Sequence, residues 1–460
     1  MPSTIAPPFE LRRAQLQEDL LAHYDELIAR TSWQRDEIRA HQRRRLRALL
    51  RAASARSSFH RERLSGVDVD RVEPDDLSAL PVMTKADLMA HFDEVVTDDR
   101  ITRGRAEAAL ADLGEEPATL DGSAMVLASG GSSGPRGVFV LDPPACRQFL
   151  GSLSRGVVAR IRAMGGPPPG GLRLAMVAAA SPAHATAMAV GATAGGRLPF
   201  FFEAVPVTSP VPRIVDRLNE IQPAGLYGYP TMLAQLAAEQ AAGRLRIRPS
   251  FVTCTSETLL CELRTTIRSG FGVPVVDTFG STEGLVGSSP PDDDVLVFAE
   301  DGCIVELVDA DDRPVPSGTP SDAVLVTPLE NRLQPLIRYR ITDSLVAQPP
   351  VPRHGYLRAR VVGRSDDVLR YGRVTLHPLV IRSVLVHVPD VVDYRVAQTP
   401  RGVTIEVLAP RGADCATLAE DVADAMARAG IEAPEVTVRR VTDLPRDPRS
   451  GKLRRFVPLS

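Results

Sequence analysis

The chain has 460 residues, 44% hydrophobic and 24% charged, with a net charge of −3 and a pI near 6.3. That length exceeds one compact core and points to two or three domains, and the balanced charge excludes any electrostatic case for nucleic acid or an anionic membrane. Five scattered cysteines (Cys146, Cys254, Cys261, Cys303, Cys415) form no CxxC and have no histidine partners; they read as small buried hydrophobes in a reducing cytoplasm, not as a zinc site or disulfide framework.

The N-terminal segment MPSTIAPPFELRRAQLQEDLL has neither the apolar core nor the small-residue cleavage site of a signal peptide. Residues 9–63 carry Leu and Ala at helical spacing, and LPVMTKADLMAHF (80–92) places Thr84 as N-cap of a short helix. From about residue 123, short Val/Leu/Ile runs alternate with Ala-rich helical stretches, the pattern of α/β layering. AMVLA (124–128), LRLAMVAAA (172–180), AGLYGYP (224–230), FVTCTSE (251–257) and VPVVDTFGSTEG (273–284) are strand-to-loop units, with helices such as TMLAQLAAEQAAG between them. Residues 175–196 lack Asp, Glu, Lys and Arg, but Ala, Gly, Ser and Thr dominate and Pro182 and His184 interrupt them. A membrane-spanning helix needs about 20 strongly apolar residues, so this stretch reads as a buried strand, a turn and a packed helix. Residues 295–345 become short strands with Asp/Gly/Pro turns, a β-rich subdomain. Beyond 366 a compact tail mixes strands (VTIEVLA, EVTVRRV) with one helix (CATLAEDVADAMARAG).

Four loops and one residue carry chemistry. SGGSSGPRG (129–137) follows a strand, so its glycines free backbone N–H groups for a phosphate; it lacks the GK[ST] of a Walker loop. FGSTEG (279–284) sets a Thr hydroxyl beside a carboxylate, a pair suited to a phosphate oxygen and Mg²⁺. PLIRYRITDS (335–344) presents Asp343, an acceptor for ribose hydroxyls, and GRSDD (363–367) marks a boundary suited to a hinge. Lysine is almost absent: of 54 Lys plus Arg only Lys85 and Lys452 are lysine. Lys85 falls in the short helix after Thr84 and reads as structural. Lys452, in the Pro/Gly-rich LPRDPRSGKLRR (444–455), keeps a compact ammonium where the rest of the chain uses the planar arginine fork.

Taken in order, SGGSSGPRG, FGSTEG, RYRITD, GRSDD and PRSGK resemble the motif set of the adenylate-forming superfamily of acyl-CoA synthetases, adenylation domains and luciferase-like enzymes. LPVMTKADL, GYPTMLAQLA and TPLENRLQPLIRYR are similar to the phenylacetate–CoA ligase and coenzyme F390 synthetase branch. The resemblance, over roughly residues 40–460, implies an α/β fold. A large N-terminal domain (1–365) of layered α/β subdomains plus a β-rich subdomain would precede a small mobile α+β C-terminal domain (366–460). It implies ATP-dependent, Mg²⁺-assisted conversion of a carboxylic acid, aromatic by branch, to an acyl-adenylate with pyrophosphate release, then transfer to a nucleophile. CoA is the expected acceptor; an amine or a carrier-protein thiol is the alternative, as is activation of another small oxyanion. A homodimer stays open, and neither nucleic acid nor membrane is an expected partner.

Carried over by position, Ser129, Ser132, Ser133, Gly134 and Arg136 would hold the β- and γ-phosphates. Ser256, Glu257 and the strand end Asp277, Thr278, Phe279 and Gly280 would flank adenine. Thr282 would contact the α-phosphate, Glu283 would bind Mg²⁺, and Asp343 would take the ribose hydroxyls with Arg364 nearby. Asp366 would be the hinge, and Lys452 would reach the transferring phosphoryl group. His184, Tyr227 and Gly228, with Phe279 and Gly280, would border the acid; a structural role is the competing reading of His184 and Tyr227. The chain departs from the pattern at Phe279, which replaces the common Tyr, and at Gly372–Arg373, which reverses the usual order at the thiol tunnel. A non-catalytic nucleotide binder would have lost Glu283, Asp343 or Lys452, and all three are present; an NAD(P) oxidoreductase would need a GxGxxG that is missing.

Overall fold

The computed structural model describes residues 9–112, 116–129, 137–179, 183–352, 354–364, 367–376, 378–385, 388, 391, 393–409, 412–446 and 453–459. The N-terminal helical pattern resolves into Phe9–Arg30 and Arg35–Arg56. Thr84 caps Lys85–Ala90 as expected: its Oγ1 accepts the Asp87 N–H at 3.1 Å while the Asp87 carboxylate accepts the Thr84 N–H at 2.8 Å. Lys85 is thus the first residue of a helix.

A nine-stranded mixed sheet organises the centre. Its spatial order is Phe200–Pro206, Leu172–Ala178, Gly225–Gly228, Val252–Thr255, Val275–Gly280, Val286–Ser288, Leu296–Phe298, Arg358–Arg364, Asp343–Ala347. The first five strands are parallel and the remaining pairs antiparallel. Parallel strands are covered on both faces and so carry nearly continuous apolar runs; the last five residues of Leu172–Ala178 are all buried. Helices Val211–Ile221, Pro230–Ala241 and Cys261–Phe271 seal one face around Val177, Leu226, Val252 and Val275. The opposite face lies under Pro143–Ala163, whose N-cap Asp142 accepts the Ala145 N–H at 2.9 Å, with Phe9–Arg30 packed on that helix. The segment without charges resolves into the strand Leu172–Ala178 and the helix Ala185–Thr193. Among the described residues no helix is long and apolar enough to cross a membrane.

The β-rich region holds the antiparallel sheets Cys303–Val308, Ala323–Pro328, Tyr339–Ile341 and Thr119–Leu120, Ala124–Ala128, Val138–Leu141. Residues from 369 onward build the hairpin Leu369–Tyr371/Val374–Leu376 and the four-stranded sheet Glu435–Val441, Gly402–Leu408, Asp393–Thr399, Phe456–Val457. Val396, Ile405, Val422, Met426 and Phe456 form a core of their own there. Gly372 turns that hairpin with φ +59°, a left-handed conformation that suits glycine, and Arg373 beside it is exposed. Cys146, Cys254 and Cys303 are buried as expected, but Cys261 is exposed because it opens the surface helix Cys261–Phe271, and Cys415 is half-buried.

Buried charges fasten the N-terminal helices to the sheet. The fully buried Asp301 carboxylate pairs with Arg155 at 2.8 Å and lies 3.9 Å from Arg30, while Glu300 accepts from Arg35 at 2.8 Å. Removing one partner of a buried pair strands the other charge, at a cost of about 3–5 kcal/mol. Asp301→Ala should therefore lower unfolding free energy by that amount in chemical denaturation. Asp25→Ala, which breaks an exposed pair with Arg162, should change it by under about 1 kcal/mol.

Candidate active site

The five parallel strands all end on one edge, at Ala178, Pro206, Gly228, Thr255 and Gly280, and FGSTEG leaves from that edge, whereas SGGSSGPRG follows Ala124–Ala128 of a separate three-stranded sheet. Below it a cavity of about 430 Å³ runs over the face covered by Pro143–Ala163. Its floor follows the period-two alternation of the strands: Met176, Tyr227, Thr253 and Thr255, then Val276, Thr278 and Gly280. His184, Ser256 and Thr282 line it near the strand ends. Thr282 also borders a smaller void of about 40 Å³ that it shares with Glu283.

Ser129 is the described start of the phosphate-type loop. Its N–H donates to Gly137 O at 3.0 Å, and its Oγ accepts the Gly137 N–H at 3.0 Å, so the two ends of the loop are clamped together. A Cβ on Gly137 would stand 2.9 Å from the Phe139 ring, which explains a glycine there. Ser132, Ser133, Gly134 and Arg136 lie outside the described residues, as do Asp366 and Lys452.

His184 precedes the helix Ala185–Thr193, and its Nδ1 meets the Ala128 carbonyl at 3.2 Å. It thus lines the cavity and also bridges two elements. Tyr227 does the same. Its ring packs edge-on against Phe202 at 4.9 Å and Phe251 at 5.9 Å, and burial pushes its hydroxyl, bonded to Thr253, up to about 12. Tyr229 is core, its hydroxyl accepting the Ala179 N–H at 3.1 Å. Gly228 has no room for a side chain: a Cβ would lie 2.9 Å from Val177 O.

Ser256 holds φ +68°, an uncommon conformation for a non-glycine residue. It directs Glu257 back into the protein. One Glu257 oxygen accepts from Thr231 Oγ1 at 2.8 Å; the other accepts the Leu453 N–H at 3.0 Å and lies 3.6 Å from Arg446. The carboxylate is 4% exposed, so it is committed within the protein, and only the Glu257 backbone is available to flank an adenine. Sequence reading did not see that this glutamate ties the strand-end edge to residues flanking Lys452.

Phe279 packs edge-on against Phe298 at 5.8 Å, an apolar contact that a hydroxyl would not improve. Burial raises the Glu283 carboxyl above the usual range, the Asp343 carboxylate adds to the effect, and a Ser281 hydrogen bond and Arg364 oppose it. Asp343 and Arg364 face each other across paired strands, and Arg364 donates to Thr342 Oγ1 at 2.8 Å. The Tyr339 hydroxyl is fully buried without a hydrogen-bond partner among the described residues, and the Glu283 carboxylate helps push its proton affinity up. A desolvated carboxylate facing a second one, with an unpartnered hydroxyl nearby, is a donor set of hard oxygens that fits Mg²⁺. The sequence does not mark Tyr339, because its relation to Glu283 joins two separate segments. Among the described residues no group of three or more His, Cys, Asp or Glu side chains forms a metal cluster.

No family model matches the chain. It is 25% identical over 381 residues to the phenylacetate–coenzyme A ligase of Thermus thermophilus, covering 78% of each protein. It is 30% identical over 128 residues to the phenylacetate–coenzyme A ligase of Aromatoleum evansii, a match spanning 27% of this chain and only 29% of that relative. The crystal structure of 2-hydroxyisobutyryl-CoA ligase in the postadenylation state with R3-HIB-AMP superposes with a TM-score of 0.70 at 19% identity, over 93% of this chain and 91% of that one. The fold is that of the adenylate-forming ligases. Both of these relatives are phenylacetate–CoA ligases, and the expected α/β class holds.

Asp277, on the strand end assigned to adenine, has its carboxyl pushed up to about 7 by burial, Arg264 opposing. A raised folded-state value means the native protein holds a proton that the unfolded chain releases near the ordinary 3.8, so stability should fall as pH rises from about 4 to 7. Asp277→Asn should remove this component. Urea midpoints at pH 5 and pH 8 should lie closer together in the variant than in the native protein.

Proposed function

We propose that this chain is an AMP-forming acid–thiol ligase that activates a carboxylic acid with ATP and passes the acyl group to CoA. The carrying observation is a cavity large enough for an organic acid at the carboxyl end of the parallel strands, with Thr282 lining it and sharing a second, smaller void with Glu283. The names of the homologues and the fold support the same reaction class.

The acid enters the cavity with its carboxylate toward Thr282 and His184, where an oxygen attacks the α-phosphorus and pyrophosphate leaves. Thr282 donates to an α-phosphate oxygen, the loop from Ser129 holds the outer phosphates, and Asp343 accepts the ribose hydroxyls. Glu283, with the Tyr339 hydroxyl nearby, would hold Mg²⁺, which when bound offsets phosphate charge. The covering helix Pro143–Ala163 and the Phe202 ring shield the acyl-adenylate from water. Residues 366–460 act as a mobile unit turning at Asp366, bringing Lys452 to the site for the first step and withdrawing it for the second. Phe202 and Tyr227 in the cavity wall support an aromatic acid. Arg373, exposed on its hairpin, faces the thiol's approach when that unit turns, and an amine acceptor is the second reading.

Pyrophosphate release measured across a panel of acids, with and without CoA, tests the reading: acid dependence supports adenylation, and thioester formation identifies the acceptor. No acid-dependent release at all would overturn it. Lys452→Ala should lose ~3–4 kcal/mol of transition-state stabilisation, roughly 10²–10³-fold in ATP–pyrophosphate exchange, while still consuming a supplied acyl-adenylate. Lys452→Arg should fail nearly as badly, since a planar fork does not replace a point charge. Glu283→Gln should show weakened Mg²⁺ dependence in the same exchange assay.

A further inference from the structure

The cavity is longer than the reacting carboxylate needs, and its far end is built differently from its mouth. From Ser152 to Arg160 the covering helix advances about 12 Å at 1.5 Å per residue. Along the sheet beneath it, the four steps from Thr255 back to the buried Phe251 cover about 13 Å at the usual strand rise. Both measures run from the strand-end edge, where Thr282 and Ser256 stand, toward the opposite end of the parallel strands.

Arg160 closes that far end. Its guanidinium lies over the Phe251 ring, 4.4 Å from the centroid, and Phe251 abuts Tyr227, whose hydroxyl is bonded to Thr253. Among the described residues no carboxylate lies within ion-pair distance of Arg160, and its side chain donates no hydrogen bond. The neighbouring arginines are all spoken for: Arg155 by Asp301, Arg162 by Asp25, Arg173 by Glu203. A half-buried guanidinium that lines the cavity, is held in place by an aromatic face and meets no carboxylate among the described residues is a ready receptor for an oxyanion.

We propose that Arg160 is a specificity determinant that binds a second oxyanion at the distal end of the acid, so the preferred substrates are elongated acids bearing a carboxylate at each end. This rests on the ligase reading for the role of the near carboxylate, but not for the binding of the far one. The Phe202 and Tyr227 rings along the wall accept either an aliphatic or an aryl spacer.

The test is calorimetric binding of matched acids to the full-length protein: suberate against octanoate, and 4-carboxyphenylacetate against 4-methylphenylacetate. The diacid of each pair should bind at least tenfold more tightly. Arg160→Leu should abolish or invert that ratio, Arg160→Gln should reduce it with little change in packing, and Arg160→Lys should retain part of it. A native protein that binds the monoacid as well as the diacid, or a ratio unmoved in Arg160→Leu, overturns the proposal. Pyrophosphate exchange on the same acids separates the two claims. Arg160-dependent diacid binding without exchange would sink the ligase reading alone. Exchange with monoacids that ignores Arg160 would sink this proposal alone.

Discussion

The floor and mouth of the candidate site depend on the parallel pairing of five strands. Parallel strands must all run the same way, so each terminates on the same edge and hands its following loop to the same side. Gly228, Ser256 and Thr282, spread over 54 residues of sequence, come together for that reason alone. The pleat adds the second constraint. Alternate residues face the covering helix, so Tyr227, Thr253, Thr255 and Thr278 form a continuous floor while their neighbours serve the core on the other face.

The roof of the cavity is held by charge where the floor is held by hydrogen-bonded strands. Helix Pro143–Ala163 carries Arg155 into the Asp301 carboxylate, and Arg30 and Arg35 of the first two helices meet the same Glu300–Asp301 turn. Ion pairs so buried contribute little net stability over apolar substitutes, but they tolerate one arrangement and penalise others. In this protein that arrangement sets the helix over the sheet at a spacing that leaves a cavity, with Leu153 close to Gly280 near the mouth and Arg160 at the far end. Glu257 plays a comparable part on the strand-end side, where one buried carboxylate gathers Thr231, Leu453 and Arg446.

Much was legible in the chain itself. The strand-to-loop units from 124 to 284, the Thr84 cap and the uncharged stretch after 175 fold as their patterns indicate, because period-two and period-3.6 signals and capping chemistry are local. Glu257 shows where local reading stops. Its place beside Ser256 suggests a nucleotide contact, yet the left-handed Ser256 turns it into the protein, and its partners lie 26 and 196 residues away. Cys261 erred on the same ground: residue type predicts burial on average, and its position at a helix start decided exposure.

The fold class, the loops that carry hydroxyls and carboxylates, and the scarcity of lysine that singles out Lys452 are all readable along the chain, since they depend on residue identity and short-range order. Packing alone brings the Tyr339 hydroxyl, unpartnered among the described residues, toward Glu283, sets Arg160 at the cavity end with no acid opposite it among those residues, and lays Phe279 on Phe298. Those facts are relations between side chains far apart in the chain. No periodicity or motif encodes them, because partner choice is settled by which surfaces the parallel sheet and the buried ion pairs press together.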